Sequence, residues 1–270
     1  NLVDGWDDPR MPTISGLRKR GYTPESLKNF ALTVGVSKRE NVIDASLLEF
    51  CIRTHLNQVA PRAMAVLDPI KIKLINYENE SGEKINFDIN PQEKELGTRE
   101  INFSKELYIE NEDFQENPVD GFFRLSLGEE VRLKNAYIIK AVDVVKDEKG
   151  KVKEVLCEYD SKSRSGSNTP ESNRKVKGTI HWVSATDSVK ARVNIYDRLF
   201  KVPEPGKEND LKNEVNQNSL EVKEAYVEPY LAESLEAQQF QFQRLGYFVR
   251  TDNKKTLEFN KTVGLRDSWK

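Results

Sequence analysis

The chain has 270 residues, a hydrophobic fraction of 37% and a formal net charge of −2. That length suits one or two domains with cores of ordinary size, and it contains neither an apolar run long enough to cross a bilayer as a helix nor a signal-peptide pattern. The balanced charge does not announce a nucleic-acid binder, but a local basic groove on a near-neutral protein can bind RNA, so that class stays open.

Residues 5–22, GWDDPRMPTISGLRKRGY, are heavily punctuated. Pro9 and Pro12 stop a helix from running through the entry. Gly16 and Gly21 then bracket a short basic helix carrying Arg18, Lys19 and Arg20. Composition makes this a kinked helical elbow with a positive face, and the adjacent carboxylates Asp7 and Asp8 read as an ion pair or cap with Arg10. Thr23-Pro24-Glu25 is a helix start: an N-cap threonine, proline at the first helical position and an acid in the first turn. Leu27, Phe30, Ala31 and Val34 follow at helical spacing. Asp44 is the next N-cap, Leu48, Ile52, Leu56 and Val59 give that helix an apolar stripe, and Pro61 ends it.

Beyond Pro61 the period changes to two. Residues 71–77, 106–109, 130–134 and 137–142 alternate, and Asp147-Glu148-Lys149-Gly150 turns the chain into 152–159 as a hairpin. Further strands are predicted at 176–184, 191–198, 222–230, 240–250 and 256–263. So many short strands with turn signals suggest closed or nearly closed barrels, two of them. The predicted fold class is therefore mainly β, with an N-terminal helical subdomain and two β-barrels. Ser161–Asn173 and Pro203–Asn218 are polar and predicted as surface loops.

Enzymatic chemistry is hard to find in these residues. No nucleophile–base–acid set and no Walker-type glycine loop is visible. Cys51 and Cys157 lie far apart without a CxxC pattern and read as buried thiols in a reducing compartment. With His55 and His181 they lack the short spacing of zinc ligands. What remains is recognition chemistry. Unpaired RNA bases are read by Arg and Gln at their edges and stacked on aromatics. Phe122-Phe123-Arg124, Val131-Arg132-Leu133-Lys134 and Phe240-Gln241-Phe242-Gln243-Arg244 place such residues on or beside strands. An ordinary barrel strand with solvated charges explains the same pattern.

The wording of several segments is more specific than their composition. MPTISGLRKRGYTPESL in the elbow, APRAMAVLDPIKI at 60–72, FFRLSLGEEVRLKNAYIIKA at 122–141, KVKGTIHWVSA at 175–185, YDRLF at 196–200 and FNKTVGLRDSW at 259–269 closely resemble glutaminyl-tRNA synthetases, class I enzymes. The looser stretches are 78–103 and 161–173, both expected as loops. The resemblance implies the tRNA-reading, carboxy-terminal part of such an enzyme: a helical connector over 1–58, a proximal anticodon-binding barrel from 59–105 plus 190–270, and a distal barrel from 106–189. The HIGH-like and KMSKS-like signatures that handle ATP in this class are absent from the chain, so it implies an ATP-dependent (Mg-assisted) glutamine–tRNA ligase only for the full-length protein. The chain alone is expected to hold no catalytic residue, metal or cofactor and to be inactive.

Matching the family's motifs residue by residue makes Arg62, Arg124, Arg132, Lys134, Gln241 and Arg244 the anticodon readers. Gly121 and Phe123 depart from the polar or basic residues of some relatives. Lys134 stands where an arginine also occurs, keeping the charge but not the planar fork. Glutamine anticodons fix U and G at two places and vary at the third, so Arg124 is assigned to the guanine, Gln241 and Arg244 to the central uridine, and Arg132 to the variable base or its phosphate. The partner implied is glutamine tRNA, through its anticodon loop and inner stem, bound by a cytoplasmic monomer. Two other readings remain: a eukaryote- or archaeon-type glutamyl-tRNA synthetase, and a stand-alone RNA-binding β-barrel protein.

Overall fold

The computed structural model describes residues 2–39, 41–207 and 210–266; the last three residues of the FNKTVGLRDSW run, 267–269, lie outside them. The chain divides into two units. One comprises Asn1–Arg62, Ala191–Lys223 and Ser234–Lys270, the other Ala63–Lys190 and Glu224–Glu233.

Three helices open the first unit. Helix α1 (Ile14–Arg20) starts where Thr13 Oγ1 accepts the N–H of Gly16 and stops at Gly21, whose φ of +99° lets its N–H close back onto the carbonyls of Arg18 and Leu17. A side chain at Gly21 would also strike Thr262 and Val249, so glycine is needed both for the turn and for the close packing of the helix end on those strands. Helix α2 (Pro24–Val34) begins at Thr23 with Pro24 in its first turn. Helix α3 (Ala45–Val59) begins at Asp44, whose Oδ1 accepts the N–H of Ser46 at 2.8 Å. Ile52 and Leu56 of the expected stripe are fully buried, with Leu48 packed against them, in a cluster with Tyr22, Ala60, Tyr247 and Val263. The rest of both stripes does not follow: Val59, Ala31 and Val34 are exposed, because within this unit only the start of α2 and one side of α3 meet apolar neighbours.

Among the described residues sixteen strands follow: β1 (Arg62–Ala63), β2 (Ala65–Val66), β3 (Pro69–Leu74), β4 (Glu83–Asp88), β5 (Thr98–Phe103), β6 (Glu106–Glu110), β7 (Glu130–Leu133), β8 (Ile138–Lys146), β9 (Val152–Asp160), β10 (Thr179–Ile180), β11 (Val183–Ser184), β12 (Val189–Tyr196), β13 (Leu220–Val227), β14 (Gln239–Phe242), β15 (Gly246–Arg250) and β16 (Glu258–Val263). The fold is mainly β with a helical N-terminal part, as its alternating segments predict.

The second unit carries a seven-stranded sheet in the order β10-β7-β8-β9-β3-β6-β11. Its two edge strands, β10 and β11, are separated in sequence only by His181 and Trp182. Two residues of chain reach only about 10 Å, so the sheet must curl until its edges nearly meet. Trp182 is thereby fully buried, with its indole N–H donating to the carbonyl of Lys134 at 3.0 Å. Phe103 and Phe87 pack edge-on against it at centroid distances of 5.3 and 6.4 Å. Glu110, itself buried, accepts the backbone N–H groups of Leu67 (2.8 Å) and Asp68 (2.9 Å) and lies 3.2 Å from His181 Nε2, fixing the entry to β3.

Two differences from the sequence reading concern this unit. Residues 78–103 are not a loop: β4 and β5 form a two-stranded sheet that sends Ile85, Phe87, Ile101 and Phe103 into the core. Residues 69–103 do not join the sheet of 190–270; of the 59–105 stretch only β1 and β2 pair with it, through β14 and β13. β3 lies between β6, antiparallel, and β9, parallel, in the same sheet as 106–184. Period-two alternation identifies a strand but not its partner, and β3 pairs with a strand more than eighty positions away.

In the first unit the order is β1-β14-β15-β16-β12-β13. β13 runs on into the second unit, where Tyr226 and Val227 pair with Val66 and Ala65. The predicted strand at 240–250 is a hairpin, β14 and β15 joined through Gln243–Leu245, with Arg244 at the turn in a left-handed conformation (φ 69°). Phe242 stacks on Phe248 (4.2 Å) and meets Phe259 edge-on (5.2 Å) beneath it. Cys51 and Cys157 are free and buried, and burial pushes the Cys157 thiol up to about 12.

Candidate nucleic-acid interface

The first unit brings together residues that stand far apart in the chain. The N–H of Gln241 donates to the carbonyl of Pro61 at 2.8 Å, so β14 runs beside the start of β1 and carries Gln241 past Arg62. Across the hairpin Gln241 is in register with Tyr247. Gln241 Nε2 donates to the Tyr247 phenol at 3.1 Å, and that phenol donates to Asn57 Oδ1 on α3 at 3.3 Å. Burial raises the Tyr247 phenol, and the nearby Arg62 guanidinium and the Gln241 bond oppose it. Arg62 and Gln241 are half-buried, and Arg244 projects exposed from the hairpin turn. Three predicted readers therefore share one end of one sheet. Tyr247 and Asn57 complete the chain of hydrogen bonds. Neither carries a sequence signal of recognition beyond the tyrosine of the mostly apolar run Gly246–Val249.

The second unit holds the other three predicted readers, and the guanidinium donors of the two arginines are engaged. Arg124 Nε lies 3.2 Å from Asp113 Oδ1, and its Nη1 lies 3.3 Å from Glu112 Oε1 and 3.2 Å from the Glu112 carbonyl. Asp113 is fully buried, so this carboxylate positions the arginine from beneath while 38% of its side chain faces solvent. Phe123, for which the sequence offered no role, is 67% exposed beside it. An uncovered aromatic ring next to a guanidinium is the pairing that unstacked bases favour.

Arg132 is held differently. Its Nη1 donates to the carbonyl of Ser163 (3.0 Å) and to Ser165 Oγ (3.3 Å), and its Nη2 to the carbonyl of Ser172 (2.6 Å). The guanidinium thus ties both ends of the 161–173 loop to β7. Burial and the neighbouring Arg174 push its pKa below the usual arginine value. Arg174 itself bridges Asp160 (3.0 Å) and Glu130 (3.1 Å). Lys134 is half-buried one turn of the pleat further on. The 161–173 stretch is a surface segment, as expected, but it is pinned rather than loose.

In the elbow, the Asp8 carboxylate is 3% exposed and meets Arg10 Nη2 at 2.6 Å and Nε at 2.9 Å. Among the described residues no three His, Cys, Asp or Glu side chains gather as metal ligands, and no helix is long and apolar enough to cross a membrane.

Three models of one family match the chain. The catalytic domain of the class I (E and Q) tRNA synthetases matches residues 1–58, and two anticodon-binding domains of the same family match 60–160 and 179–251. The glutamine–tRNA ligase of Aliivibrio fischeri is 50% identical over 99% of this chain, that of Vibrio vulnificus 49% over 99%, and that of Escherichia coli O157:H7 47% over 99%. The chain spans about half the length of these relatives, 49, 48 and 48% respectively. The anticodon-domain matches fall on the strands that carry the arginine and glutamine clusters, and all three segments point the same way: the chain belongs to the class I tRNA synthetases of the E and Q group.

Proposed function

We propose that this chain reads the anticodon of glutamine tRNA for an ATP-dependent glutamine–tRNA ligase. The chemical step, with ATP and Mg as substrate, falls to catalytic residues beyond those found in this chain. The observation that carries the reading is the hydrogen-bonded set of Gln241, Tyr247 and Asn57 with Arg62 and Arg244 beside it. Such a set presents amide and guanidinium groups from a rigid hairpin, which is what strict base discrimination requires.

Gln241 and Arg244, with Arg62, take the central uridine. Arg124 takes the guanine through its planar fork, with Phe123 as a stacking face. Arg132, through its remaining N–H groups, and Lys134 hold the variable base or its phosphate. The protein acts as a cytoplasmic monomer.

Binding of glutamine tRNA and of non-cognate tRNA, titrated at two salt concentrations, tests this. The expected result is a preference for glutamine tRNA that persists as salt rises, while the absolute affinity of both falls, because phosphate contacts are screened and base contacts are not. Equal affinity for both tRNAs at the higher salt overturns it.

A further inference from the structure

In the first unit, the end of α1 and strands β12 and β16 enclose a cavity of about 90 Å³, lined by Arg20, Arg198, Lys261, Tyr196 and the carboxylates Glu49 and Asp197. The acids are already committed. Glu49 lies 2.5 Å from Arg198 Nη1 and 3.7 Å from Arg53 Nη1. Asp197 Oδ1 accepts the N–H of Arg198 at 2.8 Å.

Among the described residues two cations have no such partner. There the Arg20 side chain donates through Nη2, to the Tyr196 carbonyl at 3.2 Å, with its guanidinium over the Tyr196 ring. Its Nε is buried and unbonded. Lys261 makes no hydrogen bond or ion pair among the described residues, and Asp197 and Glu221 act on it only at longer range. Burial, then Arg20 and Lys223, push the Lys261 ammonium below its ordinary value. Two partly buried cations lining one cavity repel each other, and Arg20 Nε lacks the hydrogen bond that water would supply.

We propose that this cavity binds a phosphate group, with Arg20 Nε and Lys261 Nζ donating to its oxygens. Arg20 comes from the end of α1 and Lys261 from β16, so an oxyanion seated in the cavity receives donors from two elements. The inference does not rest on the anticodon reading. Free inorganic phosphate and a backbone phosphodiester of bound RNA would both supply the chemistry.

Thermal unfolding in sodium phosphate against sodium chloride of equal ionic strength tests it. Phosphate well above its Kd should raise Tm by roughly 2–4 °C more than chloride. Lys261→Met should lose that increment while unfolding at the same or a higher temperature without phosphate, since it removes the repulsion; Arg20→Gln is the second variant. Equal shifts in the two salts, or an increment retained in both variants, overturns the proposal. The source follows from RNA binding. If Lys261→Met weakens tRNA binding severalfold and phosphate competes with tRNA, the site takes a phosphodiester. If tRNA binding is unchanged while the phosphate increment is lost, it takes the free anion.

Discussion

Gln241 and Tyr247 stand opposite each other across the β14–β15 hairpin, and the amide N–H₂ of the first donates to the phenol of the second at 3.1 Å. That bond fixes which way the amide points. It leaves Gln241 one N–H and its carbonyl oxygen, a donor beside an acceptor, which complements the N3–H and carbonyl of uracil. Tyr247→Phe keeps the packing and removes the orienting group. Its expected effect is a loss of discrimination between uridine and cytidine at the central anticodon position of roughly tenfold, with stability changed by about 1 kcal/mol. Binding of transcripts differing at that one base measures it; unchanged discrimination would mean that Tyr247 does not orient the reader.

Arg132 has a structural task as well as a proposed recognition role. Three hydrogen bonds run from its guanidinium to the 161–173 loop. Arg132→Ala should release that loop, costing about 1–3 kcal/mol and opening a protease site within it. Arg132→Lys should rescue only in part, because one ammonium cannot span two carbonyls on different sides. Limited proteolysis followed by mass analysis distinguishes the two. A loop that stays protected in Arg132→Ala would show that other contacts hold it.

These two arginine and glutamine sites also mark how far sequence carries. The caps at Thr23 and Asp44 were readable because capping is local: the oxygen that closes the helix sits two or three residues from the N–H it accepts. Strands β6 and β7 were readable because they alternate inward and outward over most of their length, and β8 and β9 because a short turn joins them. β4 and β5 were not. Each has few apolar residues among charges, and the nine residues between them carry no short hairpin signal. Placing β3 between β6 and β9 depends on pairing over long sequence distances, which leaves no local trace. The proposed reader positions came from motif wording. What each side chain touches did not, since a sequence displays the Arg124 cation but not the buried Asp113 that holds it.

A buried ion pair ties the returning segment 224–233 to the rest of the second unit. Arg99 Nε and Glu228 Oε1 are 2.5 Å apart, and their side chains are 5% and 1% exposed. The guanidinium also lies over Phe87 and Tyr230. Burial raises the Glu228 carboxyl, and Arg99 opposes it. Glu228→Gln leaves an uncompensated cation in an apolar shell and should cost about 3–5 kcal/mol in urea unfolding. The double change Arg99→Met with Glu228→Leu should recover most of that loss, because two apolar side chains need no partner. A double variant as unstable as the single one would mean that the pair itself, rather than the stranded charge, sets the stability.

The elbow gives the protein an acid limit. Burial alone would raise the Asp8 carboxyl, but Arg10 and the backbone N–H groups of Asp4 and Arg10 outweigh it and hold the group at about 2, below its ordinary 3.8. A carboxyl held lower in the folded state than in the unfolded one favours folding only while it is ionised. Its contribution, about 2 kcal/mol, is therefore complete above pH 3.8, declines as pH falls and is gone below about 2. Asp8→Asn should be less stable than the parent at neutral pH, and the gap between the two should close over that acid window. Urea unfolding of both at intervals from pH 5 to the acid limit, at fixed ionic strength, measures the gap. A gap that stays constant with pH would show that Asp8 acts through packing and not through its charge.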